Sequence, residues 1–280
     1  MSDPQEEGLT ANEVIALLAR LKGIDPPILV GGQALNVLAR HYRIAGFGTP
    51  SSTDMDFVGD SEEARQIAAL WGATIRIPTM DDNTPNTAIL MMSRPGRPPL
   101  VIDFLESVAE SAFGAEVPSL HITENGVAIR VLHPLSCLQS RLWNIYGPLA
   151  RRNTREIDRA RLAIQVLHTH LTTLLDRQDT RGALKVIERL ARRVVLSRVS
   201  RRAWMRDQID VLTAVPINHA ALPEAFRTVR WPAIQKQVQE AREKDRQARP
   251  QDGSHGFPDE GTGSSPEECD GPEGRRGIPL

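Results

Sequence analysis

Two short runs hold residues whose types and spacing suit chemistry. Gly31-Gly32 directly follows the apolar Ile28-Leu29-Val30, and Asp54 and Asp56 stand one residue apart in Ser52-Thr53-Asp54-Met55-Asp56-Phe57-Val58-Gly59. A glycine pair at a strand-to-helix turn lets the backbone approach a phosphate, and the helix start beyond it offers free N–H groups. Carboxylates one residue apart in a strand share a face, because strand side chains alternate. Such a pair suits a divalent cation such as magnesium, which takes oxygen ligands and keeps some positions for substrate phosphates. Together the two runs point to a metal–nucleotide site. Taken singly, each has a plainer explanation: a tight turn before a packed helix, and acids that only cap backbone groups.

These residues need elements to position them. The pattern over 9–21 predicts an amphipathic helix, capped by Thr10 or Asn12, with Val14, Leu17, Leu18 and Leu21 on one face. A strand over 28–30 leads through the glycines to a helix over 33–40. The connection over 44–53 is long, as expected of a loop that covers a site. A helix over 61–71 follows, then strands over 73–77, 87–92, 100–105 and 126–132. This mixture predicts an α/β core, residues 1–133, built on a mixed sheet with flanking helices. Asp81-Asp82 reads as a solvated turn. From Pro134 the periodicity becomes helical, with segments over 134–145, 153–174, 181–206, 206–215 and 231–246, which gives an all-α domain over 134–246. Residues 247–280 are dominated by Gly, Pro, Ser, Asp and Glu and read as a disordered acidic tail.

Composition narrows the function classes. Only Cys137 and Cys269 are present, so neither a disulfide framework nor a zinc cluster is expected. The acidic, polar start Met1-Ser2-Asp3-Pro4-Gln5-Glu6-Glu7 is the reverse of a secretory signal, no apolar run reaches membrane-span length, and the expected location is cytoplasmic. A net charge of −1 excludes a globally basic nucleic-acid binder. It conceals segregation, however. Arg151, Arg152, Arg155, Arg159 and Arg161 cluster, and a second segment holds Arg181, Lys185, Arg189, Arg192, Arg193, Arg198, Arg201, Arg202 and Arg206. Basic charge at that density is the footprint of a polyanion, with an acidic partner protein as the competing explanation.

Gly31-Gly32, then Asp54-x-Asp56, then Asp103 inside Leu100-Val101-Ile102-Asp103-Phe104-Leu105 resembles the nucleotidyltransferase (polymerase-β-like) superfamily. The run is most similar to AbiEii-type toxins of bacterial toxin–antitoxin and phage-abortive systems. The resemblance implies a nucleotidyltransferase-like fold and transfer of a nucleoside monophosphate from a nucleoside triphosphate. Asp54, Asp56 and Asp103 would be the catalytic, magnesium-binding acids, and Gly31, Gly32, Gln33 and Arg141 would bind the nucleotide. It also implies an RNA acceptor, tRNA-like, and an antitoxin protein as partner. Two positions depart from the pattern: Gln33 stands where a small hydroxyl residue is usual, and Arg141 where the family carries lysine, with a different fork geometry. The alternatives are a small-molecule nucleotidyltransferase of the aminoglycoside-modifying kind, whose cationic substrates want an acidic pocket, and a non-catalytic nucleotide- or protein-binding module of the same fold. Arg155-Glu156-Ile157-Asp158 reads as an exposed helix face with local ion pairs.

Overall fold

The computed structural model describes residues 8–45, 54–82, 84–108, 117–148 and 152–247. The loop expected over 44–53 lies outside the described residues from 46 onward, as do Arg151 and the tail beyond 247. The expected architecture is found: a seven-stranded mixed sheet with flanking helices, followed by a helical region.

Helix α1 (Ala11–Leu18) is closed at its start by a reciprocal capping box. Thr10 Oγ1 accepts from the Glu13 amide at 3.2 Å, and Glu13 returns its carboxylate to the Thr10 amide at 2.8 Å. Glu13 also takes Arg97 at 2.6 Å, which ties this helix to a distant hairpin. Strand β1 (Ile28–Val30) is fully buried and runs straight into α2 (Gly31–His41), so the glycines form the first turn of the helix itself. Strand β2 (Asp54–Val58) and helix α3 (Ser61–Trp71) follow, and Asp60 caps α3 with Glu63 completing the box. Then come β3 (Thr74–Arg76), β4 (Asn86–Arg94) and β5 (Arg97–Leu105). Between β3 and β4, Asp82 lies in a short 3₁₀ turn and binds Arg76 and the Thr79 amide, so it is held by partners instead of freely solvated.

Strand β6 (Ser119–Glu124) is absent from the sequence expectation, although its hairpin to β7 (Val127–Leu132) carries the strongest turn signal in the chain. Asn125 and Gly126 both adopt positive φ, at 52° and 77°, as a two-residue hairpin turn requires. The strands stand in the order β3-β4-β5-β2-β1-β7-β6. The pairs β1–β7 and β2–β5 are parallel and the others antiparallel.

Strand β7 ends at Leu132 and α4 (Pro134–Tyr146) begins at once, with Pro134 in its first turn and His133 Nδ1 accepting from the Leu135 amide at 3.1 Å. Helix α5 (Thr154–Asp176) starts from an Asn153 cap. The single helix expected over 181–206 is two: α6 (Thr180–Leu196) and α7 (Arg198–Asp207). Ser197 is extended, with φ −82° and ψ 122°, and the Arg201 guanidinium reaches back to the Val195 carbonyl at 2.7 Å, satisfying the freed end of α6. The helix expected over 206–215 is not formed either. Gln208 is left-handed, and the Asp210 carboxylate accepts from the Leu212 amide, so only a 3₁₀ turn follows. Helix α8 (Trp231–Gln247) closes the described chain. One apolar core runs without a break from Leu29, Met55 and Phe104 in the sheet through Leu38 and Leu142 to Leu167 and Ile187 in the helices. No described helix is long and apolar enough to cross a membrane.

Candidate active site

Strand alternation divides β2 and β5 cleanly. Met55, Phe57, Ile102 and Phe104 point to one face, are wholly buried, and pack through the Phe57 ring, 5.4 Å from Phe104 and 6.3 Å from Trp71 of α3. Asp54, Asp56 and Asp103 therefore occupy the other face. In the parallel β2–β5 register Asp56 lies directly beside Asp103, and Asp54 beside Val101. Residues far apart in sequence thus bring three acids to one patch of sheet. The row that begins at Asp54 continues through Val101 to Met91 and Thr74. Val101 and Met91 are 38% and 51% exposed, so an apolar shelf adjoins the acids.

The diglycine meets the same patch. Val30 pairs with Asp56 across β1–β2, and the next residue, Gly31, has φ +66°. A Cβ built on Gly31 would lie 1.9 Å from Asp56 Oδ2, so any side chain there would collide with the acid. Val30, at the N-cap, provides no side-chain cap for α2, and the first residue of the helix, Gly31, lies against Asp56. Glycine is required here for two independent reasons, backbone conformation and close approach.

The acids repel one another. Burial, then the charges of Asp54 and Asp103, push Asp56 up to about 6, and the charges of Arg141 and Arg159 oppose the shift. Asp103 is raised by burial and by Asp54, while a hydrogen bond from Asn86 Nδ2 to its Oδ1 at 2.8 Å works the other way. On the helical side, Glu156 bridges two buried arginines, accepting from Arg141 at 3.3 Å and from Arg159 at 2.5 Å.

Several sequence expectations change at this point. Gln33 is 1% exposed; its amide donates to the Leu9 carbonyl at 3.3 Å and accepts from Asn36 at 3.1 Å. Its side chain fastens α2 to Leu9, just ahead of the α1 cap, and is not presented to a phosphate. Arg141 is also buried and held by Glu156, so it offers the site charge instead of a free fork. Glu156 is not part of an exposed face, and Arg159, counted among the surface basic residues, is buried with its Nε lacking a hydrogen-bond partner. The exposed pair in that run is Asp158 with Arg161, at 3.1 Å. Glu156, Arg159 and Asn86 are site residues that sequence reasoning missed. Only the three-residue spacing of Glu156 and Arg159 hinted at the bridge, since Arg141 and Asn86 come from other elements.

The donor set fits a hard divalent cation in type and charge. Asp54, Asp56, Asp103 and Glu156 face Arg141 and Arg159, which leaves two negative charges uncompensated when all are ionised. Among the described residues no three such side chains are already gathered into a metal cage, so the fit is one of chemistry and not of preformed coordination.

No protein-family model matches the chain, and no curated protein matches it. Two solved structures resemble it distantly. A crystal structure of an antigenic nucleotidyltransferase-like protein from Paracoccidioides brasiliensis aligns with TM-score 0.38 and 14% identity over 63% of this chain and 92% of that one. A solution structure of the antibiotic-resistance factor ANT(2'')-Ia aligns with TM-score 0.36 and 16% identity over 62% and 93%.

Proposed function

We propose that the protein is a magnesium-dependent nucleotidyltransferase of the polymerase-β-like kind, moving a nucleoside monophosphate from a nucleoside triphosphate to an acceptor hydroxyl. The observation that carries this reading is the meeting of Asp56, Asp103 and Gly31. Two acids lie side by side on parallel strands, at a helix start from which a side chain is sterically excluded. A scaffold has little use for mutually repelling, half-buried carboxylates, whereas a site that must receive a cation and a polyphosphate does.

In this reading Asp54, Asp56 and Asp103 hold the magnesium. Bound there, it supplies neutralisation of the charge that develops on the phosphates. The N–H groups of Gly31 and Gly32 receive phosphate oxygens, and Arg141 and Arg159 add positive potential from behind Asp56. Met91 and Val101 give the nucleoside an apolar shelf. Alternatively, without a metal on it, Asp103, with one oxygen fixed by Asn86, would accept the proton of the attacking hydroxyl on the other. The acceptor oxygen then bonds to the α-phosphorus as the bond to the bridging oxygen breaks and pyrophosphate leaves. Alignment and charge placement account for the rate, so loss of one acid removes several kcal/mol of transition-state stabilisation, on the order of 3 or more.

The acceptor in this proposal is an RNA end, tRNA-like, and the protein is a toxin–antitoxin component whose partner is an antitoxin protein. The exposed arginines of α6 and α7 support a polyanionic acceptor. The test is incubation of purified protein with each labelled triphosphate, magnesium and total RNA. Label should enter a defined RNA band, disappear with a chelator, and be absent with Asp54→Asn, Asp56→Asn or Asp103→Asn. Undiminished labelling by all three variants would remove the assignment.

A further inference from the structure

A cavity of about 720 Å³ opens between α4, α6 and the start of α7, away from the three acids. Ser136, Gln139 and Trp143 of α4 line one wall, and Val186, Arg189, Arg192 and Arg193 of α6 line another. The spacing of each set, three and four residues, puts it on a single helix face. Arg141, which belongs to the acidic site, is two residues from Trp143 and so points about 200° around α4 from it. One helix therefore separates two different sites.

The chemistry of this cavity is one-sided. Arg189, Arg192, Arg193 and Arg198 contribute to its lining, and among the described residues no carboxylate does. Among the described residues no acid forms an ion pair with Arg189, Arg192 or Arg198, while Glu188 pairs away from the cavity with Arg230 at 3.7 Å. The field is felt by its neighbour: burial and then the Arg189 charge push the His133 imidazole down to about 4, so it stays neutral at physiological pH. Ser197, also in the lining, leaves the start of α7 without a side-chain cap. Trp143 is half-buried and offers an aromatic surface among these cations. Cations that hold phosphate beside a ring that stacks on a base are the pairing used to bind single-stranded nucleotides, and the volume is that of a small-ligand pocket.

We propose that this cavity is a second nucleotide-binding site, in which arginines of α6 and α7 hold a phosphate and Trp143 stacks on the base. It does not depend on the acids or on a metal. The nucleotide is either free or one unit of a single strand.

The test measures binding of a fluorescent six-residue oligoadenylate, of ATP and of inorganic pyrophosphate to the full chain in EDTA, which keeps the acidic site from contributing through a cation. Wild-type protein should bind the oligoadenylate or ATP more tightly than pyrophosphate. Tighter oligoadenylate identifies a strand, and equal affinity a free nucleotide. Arg192→Ala combined with Arg198→Ala changes exposed side chains, leaves folding intact, and should weaken binding at least tenfold with a shallower salt dependence. Trp143→Leu should weaken the nucleotides and leave pyrophosphate unaffected, with Trp143→Phe restoring most of the affinity. Asp56→Asn should bind as wild type, whether or not it transfers nucleotide. Unchanged affinity in the double arginine variant overturns the proposal, as does pyrophosphate binding equal to that of both nucleotides.

Discussion

Asp56 is the residue on which stability and function pull in opposite directions. Its folded-state value of about 6 lies above the ordinary carboxylate value of 3.8, so between those pH values the folded chain holds more proton than the unfolded one. Stability contributed by this group is therefore greatest at low pH and falls as pH rises through that window, by on the order of 2–3 kcal/mol. Asp56→Asn should raise the melting temperature at pH 7.5 by several degrees, roughly the equivalent of 1–2 kcal/mol, and change it little at pH 4, in scans of both proteins. Added magnesium should raise the wild-type melting temperature at pH 7.5, EDTA should reverse this, and Asp56→Asn should not respond. Gly31→Ala should destabilise by about 2 kcal/mol or more, combining left-handed backbone strain of about 1–2 kcal/mol with displacement of the Asp56 carboxylate. In an Asp56→Ala background only the backbone part should remain, and urea unfolding of the four proteins of that cycle separates the two contributions.

At the scale of elements, α4 and α5 deliver the counter-charges to the sheet. Glu156 stands between Arg141 and Arg159, and both guanidinium groups act on Asp56. Glu156→Gln removes the negative charge they share, so more of their field should fall on Asp56. The expected result is a lower Asp56 pKa by carboxyl NMR titration, together with a loss of stability on the order of 3 kcal/mol from the unbalanced buried arginines. Much of the positioning was legible from local pattern. The strand at Ile28, the helix after a cap at Thr10 or Asn12, and the acid at 103 inside an apolar strand all follow from neighbours in sequence. What was not legible depends on distant partners. Gln33 is occupied by Leu9, Arg141 by Glu156, and Asp103 by Asn86, and none of these pairings leaves a mark within a helical or strand period. The break at Ser197 is of the same kind, since Arg201 and the surrounding helices decide it over a sequence whose periodicity runs straight through. Strand β6 is a different case: Asn125-Gly126 signals its hairpin, but the sequence reading did not extend the turn to a second strand.

The described residues of sheet and helices share one apolar core, and this bears on how the molecule comes apart. The change from strands to helices at His133 suggests two units by sequence, yet Leu38 of α2, Leu142 of α4 and Leu167 of α5 belong to the same buried cluster as the sheet. Urea unfolding followed by far-ultraviolet circular dichroism and by tryptophan fluorescence should give coincident transitions. Separate midpoints would assign the helices an independent fold. Charge is arranged at this scale too. Arg152, Arg201 and Arg242 are taken up by Asp207, Asp245 and Asp210, which brace α7, α8 and the turn between them. Among the described residues no acid pairs with Arg189, Arg192 or Arg198 around Trp143, so oligonucleotide affinity should fall steeply with salt while the fold tolerates it.

The parallel pairing of Asp56 with Asp103 also limits how this chain can change over evolutionary time. Substituting Val101 alters only the shelf, but inserting or deleting one residue between Leu100 and Asp103 would turn the acid inward and expel Ile102 or Phe104 to solvent. Core and chemistry are spelled by alternate letters of the same strand. This stretch should therefore accept substitutions on its outer face and reject insertions or deletions that shift its register, whereas at the Pro95-Gly96 bend just before it the constraint is conformational, because Gly96 is held at φ +68° with open space around it.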